Sequence, residues 1–94
     1  MISTALDGTE EIRVLLVEDD TDIAEEISAE LQSRGFGVTL AETGRAGLER
    51  ALTSQYNVMI VDRMLPELDG LSLIETVRQK GGRTPVLVLS ALGA

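Results

Sequence analysis

Val58-Met59-Ile60-Val61-Asp62-Arg63-Met64-Leu65-Pro66-Glu67-Leu68-Asp69-Gly70 decides how the chain folds. Four apolar residues, Val58 to Val61, lead directly into Asp62. A run this short reads as a strand buried on both faces. Its last residue is a carboxylate, placed where a parallel sheet opens to solvent and where ligands of open α/β sheets bind. Pro66 stops any continuation, because it lacks an N–H and restricts Leu65 to extended conformations. Asp69-Gly70 follows as a turn and a helix start. Asp62 is thus expected on a rigid strand end, beneath a short, stiff loop.

Working outward, Ile12 to Val17 is a second near-continuous apolar run, and it ends in Glu18-Asp19-Asp20. A first helix is expected over Asp22 to Arg34, with Asp22 and Glu25 as a capping box. Ile23, Ile27 and Leu31, with Ala24 beside them, form its apolar stripe. Gly35 fits its C-terminal stop. Phe36, Val38 and Leu40 alternate with Gly37 and Thr39, the pattern of a half-exposed edge strand. Thr43 caps a second helix, about Gly44 to Ser54, with Leu48, Ala51 and Leu52 inward. Gly44 and Gly47 make it the weakest helix by propensity. A third helix, Gly70 to Lys80, buries Leu71, Ile74 and Val77, and Gly81-Gly82 end it. Pro85 opens a last strand, Val86 to Leu89, which finishes at Ser90. Met1 to Glu11 is small and polar and is expected as a flexible tail, leaving residues 12–94 as one domain. Strands alternate with helices as β-α-β-α-β-α-β, which predicts a parallel sheet with helices on both faces.

Composition narrows the function. The 94 residues suggest one small domain. The only aromatics are Phe36 and Tyr56, so the core is aliphatic. The formal net charge is −8, from 16 acids against 8 bases. Such a chain is not expected to bind nucleic acid by itself, since phosphate contacts need clustered Lys and Arg. An acidic surface suits a cation or a basic partner patch. With neither Cys nor His, any metal site must use oxygen ligands, which favours Mg²⁺ or Ca²⁺ over Zn²⁺. No apolar run approaches the roughly 18 residues of a membrane span, and the N-terminus lacks a signal-peptide layout. A cytoplasmic location is the expectation.

Glu18 and Asp19 end one buried strand, Asp62 ends another and Ser90 ends a third. If these strands are neighbours, the four polar groups converge at one carboxyl edge. Clustered carboxylates repel, and one pKa rises unless a cation is present. A bound Mg²⁺ resolves that conflict, since it favours one or two carboxylates, some waters and phosphate oxygens. Asp20 and Asp22 read as charges favourable at a helix N-terminus.

Taken together, Val14 to Asp20, Asp62 to Pro66 with Asp69-Gly70, and Thr84-Pro85 leading to Leu89-Ser90-Ala91 resemble the receiver domain of two-component response regulators. The resemblance covers Ile12 to Ala94. It implies a flavodoxin-like doubly wound sheet in the order 2-1-3-4-5. It implies Asp62 as the phosphoryl acceptor, forming an aspartyl phosphate. Asp19, Asp62 and the main-chain carbonyl of Met64 are implied ligands of Mg²⁺, Glu18 acts through a metal-bound water, and Ser90 senses the phosphoryl group. A sensor histidine kinase is the implied donor. The Arg63-Met64-Leu65 loop and the residues from Ser90 to Gly93 resemble the winged-helix transcription-factor branch, which implies a DNA-binding output.

In that family a fifth strand, carrying a phosphoryl-pairing lysine, and further helices follow the fourth strand. The one lysine here, Lys80, sits at a helix end remote from the carboxyl edge, so no catalytic lysine is assigned within these residues. The expectation is a piece of a longer regulator, present as strands 2-1-3-4, whose Val86–Leu89 edge is covered by further chain or by self-association. Two rival readings stand beside this one. A pseudo-receiver would serve only as an interaction module. A Mg²⁺-dependent phosphohydrolase with an aspartate nucleophile would place a second Asp two residues on, where this chain has Met64.

Overall fold

Strand register is what turns separate sequence signals into one edge. The computed structural model describes residues 11–90, so all of the expected Met1–Glu11 tail but Glu11, and the end over Ala91 to Ala94, lie outside the described residues. The elements are β1 (Arg13–Val17), α1 (Thr21–Ser33), β2 (Gly37–Ala41), α2 (Gly44–Thr53), β3 (Val58–Asp62), α3 (Gly70–Gln79) and β4 (Val86–Leu89). All strand pairs are parallel, in the order β2-β1-β3-β4. Val17 lies opposite Val61 on one side and Ala41 on the other, and Asp62 lies opposite Leu89. Val61 in turn lies opposite Val88, so Glu18, Asp62 and Leu89 emerge side by side, with Ser90 one step further on.

The two central strands are buried on both faces, as their unbroken apolar runs require. Val14, Leu16 and Ile60 pack with Ala24 of α1 and the half-buried Ile27 and Leu31. Leu15, Val17, Met59 and Val61 form the opposite layer with Leu73 and Val77 of α3 and with Ala46, Leu48 and Ala51 of α2. Each fully buried Leu or Val contributes roughly 1.5–3 kcal/mol over its exposed state. Among the described residues, β2 and β4 are the sheet edges. The two edges differ in cover. β2 is half-buried throughout most of its length, whereas Leu87 is 60% and Val88 43% exposed on β4.

Three sequence expectations need correction. The N-cap of α1 is Asp20, whose carboxylate accepts the Ile23 N–H at 3.1 Å. The helix thus starts two residues earlier than a cap at Asp22 allows, and Asp22 and Glu25 are exposed within it. On α3 the inward residues are Gly70, Leu73 and Val77, while Leu71 is 48% exposed. The positions i, i+3 and i+7 form the stripe, and Leu71 falls one step off it. On α2 Leu52 is exposed, and the two glycines are the buried residues instead. A Cβ at Gly47 would meet both methyls of Val17 at 2.8 Å, so the residues that weaken the helix by propensity are the ones that let it lie against β1.

Candidate functional site

Glu18 follows the last residue of β1 and is 4% exposed, the one buried charged side chain of the described residues. Its N–H donates to the Ala41 carbonyl at 3.0 Å, which extends the β1–β2 ladder by one step. Its Oε2 accepts the Asp20 N–H at 3.1 Å. Asp19 is exposed and Asp62 half-buried. One carboxylate oxygen from each of Glu18, Asp19 and Asp62 lies within 4.8 Å of the other two. These three line a cleft of about 340 Å³ together with Asp20, Ile23, Leu89 and Ser90. The structure therefore brings together Glu18, Asp19, Asp62 and Ser90, the residues expected from the three strand ends. Asp20 and Ile23 are additions that strand-end reasoning missed. The signal for them was the helix start, since a cap at Asp20 swings the first turn of α1 over the cleft.

Charge dominates this cleft. Burial is the main cause that pushes the Glu18 carboxyl up, from an ordinary 4.5 to about 7. A hydrogen bond with Asp62 and the negative charges of Asp62 and Asp19 push the same way, against the Asp20 N–H, which favours the ionised form. Arg63 follows Asp62 directly, yet neither ion pair found among the described residues involves it. Those are Arg34–Glu30 at 2.7 Å and Arg45–Glu67 at 3.7 Å, both exposed, and none of the four residues lines the cleft. Three carboxylates this close to one another form a donor set suited to a hard divalent cation. All the ligand atoms are oxygens, which fits Mg²⁺.

The loop after Asp62 is held from several sides. Asp62 Oδ1 accepts the Met64 N–H at 3.1 Å. The Arg63 N–H donates to the Leu89 carbonyl, and the Gly70 N–H to the Arg63 carbonyl, both at 2.9 Å. A Cβ at Gly70 would stand 2.3 Å from the Asp62 carbonyl oxygen, so only glycine lets α3 start this close to β3. The Leu68 N–H donates to the Pro66 carbonyl at 2.8 Å. Glu67 between them has φ of 72°. This is a γ-turn with positive φ at its centre, a rare and strained form, built here on a residue that carries a side chain. Asp69 then caps α3 by accepting the Ser72 N–H at 3.0 Å, as its position before Gly70 predicted. Lys80 follows the last turn of α3 as its C-cap and does not line the cleft.

Comparison with known proteins agrees with this geometry. The family model described as response regulator receiver domain matches residues 14–94. The transcriptional activator protein PfeR of Pseudomonas aeruginosa is 46% identical over 82 residues, covering 87% of this chain and 27% of the relative. The transcriptional regulatory protein DltR of Streptococcus agalactiae is 45% identical over 80 residues, covering 85% of this chain and 36% of the relative. The chain thus spans about a third of the length of these curated relatives. Among solved structures, the Francisella response regulator 1452 receiver domain superposes with a TM-score of 0.85 at 37% identity, covering 89% of this chain and 69% of that one. The receiver domain of the sensor histidine kinase PA1611 of Pseudomonas aeruginosa, which holds a magnesium ion in its active-site cleft, gives a TM-score of 0.84 at 33% identity, covering 87% and 69%. A parallel sheet in this strand order, a carboxylate cluster at its carboxyl edge and a family match over 81 of the 94 residues place the chain in the response regulator receiver domain family.

Proposed function

We propose that the chain accepts a phosphoryl group on Asp62 in a Mg²⁺-dependent reaction, with a sensor histidine kinase as donor. The observation that carries this reading is the carboxylate cluster of Glu18, Asp19 and Asp62 at the sheet's carboxyl edge, with Ser90 on the same cleft. A carboxylate oxygen of Asp62 attacks phosphorus, the bond to the donor's nitrogen or oxygen breaks, and the electron pair leaves with the donor. Asp19, Asp62 and the Met64 carbonyl would hold the metal, and Glu18 would act through a water. Bound Mg²⁺ offsets the repulsion between an anionic donor and an anionic cleft and stabilises charge on the transferring group. The Ser90 hydroxyl, on the far wall, is the group assigned to sense the phosphoryl oxygens.

The wider reading follows from the relatives, which are transcriptional regulators. We assign residues 12–94 to the receiver unit of a cytoplasmic regulator whose DNA-binding output lies outside these residues. The net charge of −8 makes the chain a poor ligand for nucleic acid. No helix of the described residues is long and apolar enough to cross a membrane. The test of the core claim is incubation with acetyl phosphate, with and without Mg²⁺, followed by intact-mass measurement. One added phosphoryl group that requires Mg²⁺ is the expected result. No uptake under any divalent cation would leave the interaction-module reading in its place.

The exposed β4 edge belongs to the same proposal. Its outer N–H and C=O groups have no strand partner among the described residues, and Leu87 and Val88 stand in solvent. Apolar surface left in water forfeits roughly 25 cal/mol per Å², and an open edge invites pairing. We propose that further chain or a second copy covers it. Light scattering of the 94 residues alone is expected to show self-association, with a weak urea transition. A monodisperse monomer with a steep transition and ordinary stability would overturn this.

A further inference from the structure

The β2–α2 junction, Ala41 to Gly44, holds no group assigned to phosphoryl or metal chemistry, yet both arms of the site lean on it. One arm is Glu18, whose N–H is tied to the carbonyl of Ala41, the last residue of β2. Three residues later Gly44 opens α2, and its N–H donates to the Pro66 carbonyl at 3.3 Å. That carbonyl also closes the γ-turn by accepting the Leu68 N–H. The contact is intimate. A Cβ at position 44 would lie 1.6 Å from the Leu68 carbonyl oxygen and 2.6 Å from its carbonyl carbon. Only glycine lets the helix end and the turn occupy this space. Arg45, the next residue, reaches Glu67 at the centre of the turn at 3.7 Å, though both side chains are largely exposed. Thr43 leaves the Gly44 N–H available for the loop, because its own hydroxyl caps the Ala46 N–H at 3.0 Å instead.

From this we infer that the β2–α2 junction, through Gly44, is a positioning element of the cation site: it fixes the Met64–Leu68 loop against α2 while Ala41 fixes Glu18. The strained turn at Glu67 supports the inference physically. A side chain at φ of 72° persists only where its surroundings over-determine it. The surroundings here are the first N–H of α2, with the positive end of the helix dipole behind it, and the space vacated at Gly44. A loop released from that support would carry Met64 and the Asp62 hydrogen bond to its N–H away from the cluster. The inference rests on the reading of Glu18, Asp19 and Asp62 as a Mg²⁺ site, and its test separates the two.

The test uses Gly44→Ala, Glu67→Gly and the double variant, read by Mg²⁺ calorimetry and amide hydrogen exchange. In Gly44→Ala the Mg²⁺ affinity of the folded protein is expected to fall about 10- to 100-fold, the usual effect of losing a group that orients ligands. Exchange at the Leu68 and Gly70 amides should accelerate, while the Leu15 and Ile60 amides keep their protection relative to global unfolding. Glu67→Gly frees the turn to shift, because glycine takes positive φ readily. It should bind Mg²⁺ close to wild type, and in the double variant it should restore much of the lost affinity. Should Gly44→Ala fail to fold, the double variant is expected to fold and bind, and its failure to do so would overturn the inference. Unchanged affinity and unchanged Leu68 exchange in Gly44→Ala would overturn it as well. Wild type that binds no Mg²⁺ sinks the metal reading, and the exchange measurement then decides the positioning claim by itself.

Discussion

Asp62→Asn is expected to abolish phosphoryl uptake from acetyl phosphate while leaving the fold in place. The amide is nearly isosteric with the carboxylate. Its oxygen can still accept the Met64 N–H, a bond of 3.1 Å in the wild type. Asp62 is half-buried at a strand end, so the exchange opens no cavity. Removing one of three carboxylates within 4.8 Å of each other also relieves repulsion, so stability should hold or rise. The chemistry is another matter. An amide lacks the anionic lone pair that attacks phosphorus, and removal of a covalent nucleophile costs several orders of magnitude in rate elsewhere, on the order of 10⁶ in a serine protease. Intact-mass measurement of both proteins after the same incubation decides. Equal labelling of wild type and variant, or a phosphate mapped to Ser90, would refute the assignment of Asp62. Ser90→Ala should keep the label on Asp62, since the proposed role of the hydroxyl is to sense the group and not to bond to phosphorus.

The sequence shows the strand ends of this site more clearly than the supports behind them, and the difference is physical. A buried parallel strand is a contiguous apolar run, so the residue that breaks the run is visible. That is why Glu18, Asp19, Asp62 and Ser90 could be named from their places after Val17, Val61 and Leu89. Strand order needed more, because register is a property of pairs; the family resemblance supplied it, and the observed β2-β1-β3-β4 order agrees. Helix faces were harder. Leu71 and Leu73 both fit an apolar stripe on α3, and only docking against Met59 and Val61 selects Leu73. Asp20 and Asp22 are both competent caps by residue type, and the choice falls to Asp20. The support of the loop was the least legible. Positive φ is usually announced by glycine or asparagine, and here it sits at Glu67. Gly44 and Gly47 looked like defects of a weak helix, when their missing side chains are what seat α2 on Leu68 and Val17.

Glu18 should make the protein less stable as the pH rises and make Mg²⁺ bind more tightly. Its carboxyl is pushed up to about 7, chiefly by burial. In the unfolded chain it titrates near 4.5. Between those values the native state holds a proton that the unfolded state has lost, so stability falls as pH rises through this window and the loss is complete above about 7. Each tenfold difference in acidity is worth about 1.4 kcal/mol, so the whole loss amounts to roughly 3 kcal/mol, a large share of the ~5–15 kcal/mol that a small domain holds. A cation at the cluster reverses the sign, because its charge favours the deprotonated Glu18 carboxylate, reached through a water, and expels the proton. Mg²⁺ affinity should therefore climb about tenfold from pH 6 to pH 8, with proton release that calorimetry in buffers of different ionisation enthalpy would detect. Glu18→Gln is the control. An amide keeps the size and the acceptor for the Asp20 N–H but cannot ionise. The variant should hold its metal-free stability from pH 5 to pH 8, exceed the wild type at the upper end, and lose most of the pH dependence of Mg²⁺ binding. A wild type whose urea midpoint without metal is flat across this range would show that no native group holds a proton there, and a Glu18→Gln variant that retains the wild-type slope would show that the proton belongs to another group.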